Sequence, residues 1–168
     1  RGSESDTAPA PPAVPPPAMA AEAVLIGAGD IALCDAIDRA NATAQLMERL
    51  LLARPGAIGI TLGDNSNDEG RPEEYANCFR SSWGRRLDLR PSPGNHDDYD
   101  DRWGHGGAGY FQYFGAQAGP ANLGYYSFDA GSWHVVSLNS EIMHKGALEH
   151  AQLAWLRADL ASNAGARC

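Results

Sequence analysis

The stretch AIGITLGDN, Ala57 to Asn65, decides the fold. Its first six residues are apolar and rich in β-branched side chains, which suits a buried strand. The run then passes without a spacer into glycine, aspartate and asparagine. A buried strand ending on a carboxylate is the pattern of a parallel sheet whose polar site lies beyond its strand tips. An upstream segment repeats it. AVLIGAGD, Ala23 to Asp30, is a short apolar run stopped by Gly27 and Gly29.

Between the two runs, Ile37, Ala40, Ala44, Met47 and Leu51 recur at spacings of three and four, one face of a helix. Arg54-Pro55-Gly56 ends it. Further on, in RPEEYANCFRSSWG, Pro72 with Glu73 and Glu74 suits the first turn of a second helix. Leu87–Pro91 is a third strand candidate, weakened by Pro91 and Pro93, and it feeds PGNHDD, Pro93 to Asp98. A glycine- and aromatic-rich loop follows, with a helical turn at Tyr110–Phe114. YYSFDAGSWHVVSLNS, Tyr125 to Ser140, reads as a hairpin about the turn Asp129–Ser132. Leu148–Leu160 is predicted as a last helix, with Leu153, Leu156 and Leu160 on one stripe, widened by Trp155. The predicted class is α/β: a mostly parallel sheet with helices on its faces, plus a β-hairpin.

With 168 residues, 43% hydrophobic and 20% charged, the chain fits one soluble domain with a true core. That domain is expected over residues 23–168, behind a Pro/Ala-rich tail over residues 1–22. The tail carries prolines at 9, 11, 12, 15, 16 and 17 and cannot build a core. A spacer behind an export signal and a plain disordered terminus both fit it. A net charge of −8 with no basic stripe argues against nucleic acid as a specific partner. It does not argue against a phosphate substrate, because a bound cation can make a local positive site. No apolar run approaches the length of a membrane span. Cys34, Cys78 and Cys168 fit no zinc spacing. A Cys34–Cys78 bridge and three unbridged thiols both remain open.

Parallel neighbouring strands would bring Asp30, Asp64 and Asn95 to one rim, each preceded by glycine: Gly29, Gly63 and Gly94. Glycine lets the backbone turn sharply and approach a ligand. Two carboxylates and an amide carbonyl make an oxygen-rich set suited to hard or borderline divalent cations. One aspartate can reach two cations, and two cations about 3.5–4 Å apart can clamp a phosphoryl group. His96 would sit beside them as a proton donor to the leaving oxygen.

The series GD, GDN and GNHD, placed after successive strands, resembles the calcineurin-like metallophosphoesterases, most of all their purple-acid-phosphatase-like and bacterial secreted branch. FRSSWGRR, GYFQYFG, GYYSFDAGSWHVVSLNS and QLAWLRADLA add to the likeness, which spans roughly Val24 to Ala161. The resemblance implies half of a four-layer sandwich and two divalent ions, such as Mn, Zn or Fe. It implies that Asp30 binds the first metal, Asp64 bridges both, and Asn95 binds the second. His96 would contact the phosphate and protonate the leaving group. The implied reaction is hydrolysis of a small-molecule phosphate ester in the extracellular space or periplasm.

The chain departs from that family at three places. Ala32 stands where members often carry histidine. Asn67 stands where purple acid phosphatases carry tyrosine and protein phosphatases carry the aspartate that orients the catalytic histidine. Asn67 is expected to make an uncharged version of that contact. Further histidine ligands, including a GHxH motif, belong to a downstream half and do not occur in these residues. The expectation is therefore a half-built site with poor metal affinity and an unpaired sheet edge. A non-catalytic fragment, or a module that binds metal or phosphate without turnover, is the competing reading.

Blander roles stand beside these. Asp30 could instead cap the first helix, and Asp64 could be a turn carboxylate. His134 is expected on a strand face, His105 in a loop, and His144 and His150 toward solvent. No P-loop lysine and no Gly-x-Ser-x-Gly elbow occur.

Overall fold

The computed structural model describes residues 22–85, 88–97, 106–120, 123–143 and 145–166. Expectations for residues 1–21, Leu87, Asp98, His105, His144 and Cys168 lie outside the described residues. The described chain is mixed α/β.

Strand β1 (Leu25–Ala28) pairs in parallel with β2 (Ile58–Thr61), Leu25 opposite Ile58 and Ala28 opposite Thr61. The crossover between them is α1 (Ile37–Ala53). Its buried residues are Ala40, Ala44, Met47 and Leu51, the face set by the apolar spacing. Gly59 on β2 leaves room for Leu89, Leu51 and Met47. The helix is preceded by a 3-10 turn at Cys34–Ala36, and Ala36 occupies its N-cap position. Asp30 therefore does not cap it.

The third strand shrinks to one parallel bridge, Ile60 with Arg90. Arg90 donates to Gly59 O at 2.8 Å and its carbonyl accepts from Thr61 N at 3.1 Å. Pro91 and Pro93 have no N–H to extend the ladder. Thr61 Oγ1 takes the next donor, Ser92 N, at 3.2 Å. Among the described residues the sheets are therefore one parallel pair and one antiparallel pair, a smaller parallel sheet than the sequence suggests.

The segment at Pro72 is not one regular helix. A single α-turn, α2 (Pro72–Glu74), widens into a π-helical turn at Tyr75–Phe79. Tyr75 and Phe79 pack with Tyr113 and Phe114 of α3 (Ala108–Phe114), with ring centroids 5.3–5.9 Å apart. Most of these pairs meet edge-on or tilted, the arrangement favoured by the ring quadrupoles. The Cys34–Cys78 bridge is formed, with Cα atoms 5.3 Å apart. It ties the turn after β1 to the π-helical turn and settles the pairing left open by the sequence.

Strands β3 (Tyr126–Ala130) and β4 (Trp133–Ser137) form the expected hairpin, Asp129 opposite His134. Helix α4 (Ala147–Ser162) keeps part of the expected apolar face, with Trp155 against Tyr125 at 4.8 Å between ring centroids and Leu153 and Leu156 half-buried, and adds polar anchors to it. Leu160 is exposed, whereas Gln152 is buried and exchanges two bonds with the main chain of Asn139, at 2.8 and 3.1 Å. Two turns further along, Asp159 accepts from His134 Nε2 at 2.7 Å and from Ser127 Oγ at 2.7 Å. Polar groups take the packing positions here because each finds a complete set of partners.

His134 is thus a strand-face residue with a specific task. Its side chain is only 6% exposed, and Nδ1 contacts Asp129 Oδ1 at 2.8 Å. Hydrogen bonds to Asp129 and Asp159 hold its pKa above the usual value. Burial pushes Asp159 up, but the bonds from His134 and Ser127 prevail and hold it low. The clasp should be strongest between about pH 3.9 and 6.5, the unfolded values of the two groups. It weakens as pH rises through the raised histidine value, and as pH falls through the lowered carboxylate value. Melting curves of wild type and His134→Gln should therefore converge as pH rises from 6 toward 9. A gap that does not change with pH would contradict the clasp.

Among the described residues no helix is long and apolar enough to cross a membrane.

Candidate functional site

Beyond their last paired residues, β1 and β2 continue side by side as loops. Asp30 N donates to Gly63 O at 3.3 Å, Ile31 N to Asp64 O at 2.9 Å, and Ala32 N to Asn65 O at 3.1 Å. A further parallel bridge joins Ala32 and Ser66. Asp30 and Asp64 are therefore neighbours across one rim.

Both aspartates sit in the left-handed region, at φ 51° and 52°, the two non-glycine residues with positive φ among those described. Each such residue costs on the order of 1 kcal/mol, somewhat less for aspartate than for larger side chains. Strain of this kind persists where the surroundings enforce it, and it gathers at functional sites. Here the inter-loop hydrogen bonds enforce it.

The third loop arrives through Gly94. A Cβ on Gly94 would collide with Asp64 Oδ1, so glycine is required for this close approach. His96 N then donates to Asp64 Oδ1 at 2.9 Å. Asn95 lies between these two contacts, in a 3-10 turn over Asn95–Asp97. The structure thus brings Asp30, Asp64, Asn95 and His96 to one end of the strands. The His96 ring is fixed by Nδ1, 2.9 Å from the main-chain oxygen of Asp68. Asn67 does not orient it: the Asn67 amide instead donates to Asp30 Oδ1 at 3.5 Å.

Sequence reasoning missed the group that locks the loops together. Asp97 is fully buried. Its Oδ1 accepts from the main-chain N–H of Asn65 at 3.0 Å and of Ser66 at 3.2 Å, and from the Tyr75 hydroxyl. Its Oδ2 accepts from Gly94 N at 2.8 Å and Asn65 Nδ2 at 3.0 Å. Burial raises the Asp97 pKa, opposed by the bonds from Tyr75, Asn65, Gly94 and Ser66. Burial also raises that of Tyr75, reinforced by the charge of Asp97. The local signal for this residue was its place three positions after Gly94, where a side chain can close the turn on itself.

The loop is braced from outside as well. Tyr110 and Tyr126 both donate to Pro91 O, at 3.2 and 2.9 Å. Ser92 Oγ meets Ser137 Oγ of β4 at 2.7 Å.

The side chains left over are oxygen donors, the type that hard or borderline cations take. Asp64 Oδ2 and the Asn95 amide make no hydrogen bond among the described residues, and Asp30 is exposed. All three offer oxygen, and the main chains of Asp30 and Asp64 run side by side. Among the described residues no group of three or more His, Cys, Asp or Glu side chains that could hold a metal ion occurs. Asn95 and water would have to complete the shell. Two cavities lie apart from these residues. One of about 140 Å³ is lined by Tyr75, Arg80 and Tyr113, and one of about 280 Å³ by Leu25, Trp133 and Val135. The rim is the better candidate site, because chemistry-bearing side chains converge there and line neither cavity. Comparison with family models, curated proteins and solved structures returned no match for this chain.

Proposed function

We propose that this chain carries the strand-tip half of a calcineurin-like metallophosphoesterase, hydrolysing small phosphate esters with two divalent ions. The supporting observation is the pair of left-handed aspartates, Asp30 and Asp64, side by side with His96 bonded to the second. The smaller sheet is read as part of a four-layer sandwich. Asp30, Asp64 and Asn95 would hold the cations, with Asp64 shared between them. When bound, such ions would supply positive charge for the phosphoryl oxygens and lower the pKa of a water. His96 presents its ring to the phosphate and gives a proton to the leaving oxygen. The Cys34–Cys78 bridge supports an oxidising compartment, extracellular or periplasmic.

A second reading, metal or phosphate binding without turnover, draws on the small donor set at the rim. A chromogenic phosphate ester assayed with added Mn²⁺, Zn²⁺ or Fe separates the two. Turnover is expected, falling by about 10²–10⁴-fold in His96→Ala and to background in Asp64→Ala. Turnover that survives both substitutions would refute the proposal. Metal or phosphate binding with no turnover would favour the second reading.

A further inference from the structure

We propose that Asp68 is the positioning residue of His96, and that it fixes which ring nitrogen carries the proton. A main-chain carbonyl only accepts hydrogen bonds. With His96 Nδ1 at 2.9 Å from Asp68 O, that nitrogen must bear a hydrogen. In the neutral ring the lone pair then belongs to Nε2, and proton exchange with a ligand goes through Nε2.

The carbonyl that does this is itself held. Asp68 Oδ2 accepts from Cys34 N at 3.0 Å, and Cys34 is bonded to Cys78. The preceding residue is fixed by Asn67 N donating to Ala32 O at 2.9 Å. From the other side, His96 N is bound to Asp64 Oδ1 at 2.9 Å. The histidine is thus gripped at its main chain by the bridging aspartate and at its ring by the peptide of Asp68. The orienting task has moved one residue along from Asn67, and from a side chain to the backbone. An uncharged acceptor sets the ring without adding negative charge beside an incoming phosphate.

The inference deepens the phosphoesterase reading and rests on it only for its kinetic arm. The first measurement is a long-range ¹H–¹⁵N spectrum of the histidine rings of the full chain at mildly alkaline pH, assigned with His96→Gln. His96 is expected to show a protonated Nδ1 and an unprotonated Nε2. A protonated Nε2 in the wild-type protein would overturn the proposal, whatever the activity. Asp68→Ala removes the anchor to Cys34 and is expected to mix the two ring forms. Asp68→Asn keeps an acceptor oxygen and is expected to restore the single form. In turnover, Asp68→Ala should lower kcat by about tenfold to a hundredfold with KM nearly unchanged, and Asp68→Asn should recover it. A purely structural role would lower Tm and leave the ring form alone, which would count against the proposal. The expected ring form in a protein without turnover would support the positioning role while defeating the phosphoesterase reading.

Discussion

Asp97→Ala is expected to destabilise the fold by about 3–5 kcal/mol, because it strips the acceptor from several buried donors at once. The main-chain N–H groups of Asn65, Ser66 and Gly94 all point at this carboxylate. None of them can turn away, since their own loops are fixed by the parallel ladder and by the contact of Gly94 with Asp64. Asp97→Asn is not a rescue. Whichever way the amide is turned, its NH₂ faces either two donors or three, and each donor left without an acceptor costs about 1–3 kcal/mol. Tyr75→Phe removes one hydroxyl and should cost less, about 1.5–3 kcal/mol for a bond to a charged group. Urea unfolding of the three variants should give the order Ala and Asn well below Phe, and Phe below wild type. An asparagine variant as stable as wild type would show that Asp97 is not the acceptor described.

Loss of the Cys34–Cys78 bridge is the second large effect. The bridge closes a separation of 44 residues. Chain entropy alone makes such a closure worth about 4 kcal/mol. For a domain of this size that corresponds to a fall in Tm of roughly 8–16 °C. The double variant Cys34→Ser, Cys78→Ser should melt lower by that amount. Reductant should bring wild type down to the same value and leave the double variant unmoved. A wild-type melt insensitive to reductant after full reduction of the bridge would exclude this contribution.

Much of the scaffold was legible because it is built from local, periodic signals. The apolar runs at Leu25 and Ile58 are strands, and the three-and-four spacing of Ala40, Ala44, Met47 and Leu51 is the buried face of α1. Prolines 91 and 93 warned that the third strand was weak, and only one bridge survives there. On α4 the apolar period found Trp155, Leu153 and Leu156 but not the polar anchors, and Leu160 at its end is exposed. Gln152 and Asp159 hold that helix by hydrogen bonding, which no hydropathy pattern records. The approach of Asp30, Asp64 and Asn95-His96 followed from strand order. Asp97 was legible only as far as its turn with Gly94; its other donors, Asn65, Ser66 and Tyr75, come from distant segments of the chain. Asp68 was further out of reach: it acts on His96 through a peptide oxygen, which every residue type possesses.

The widened turn at Tyr75–Phe79 has to satisfy two distant clients. Tyr75 at its start reaches Asp97, and Cys78 three residues later reaches Cys34. Removing one residue here would restore ordinary helical pitch and rotate one of these side chains out of range while the other stayed. The spacing between tyrosine and cysteine is thus a gauge block for the molecule: the exposed Ala76 and Asn77 between them can vary, but the residue count cannot.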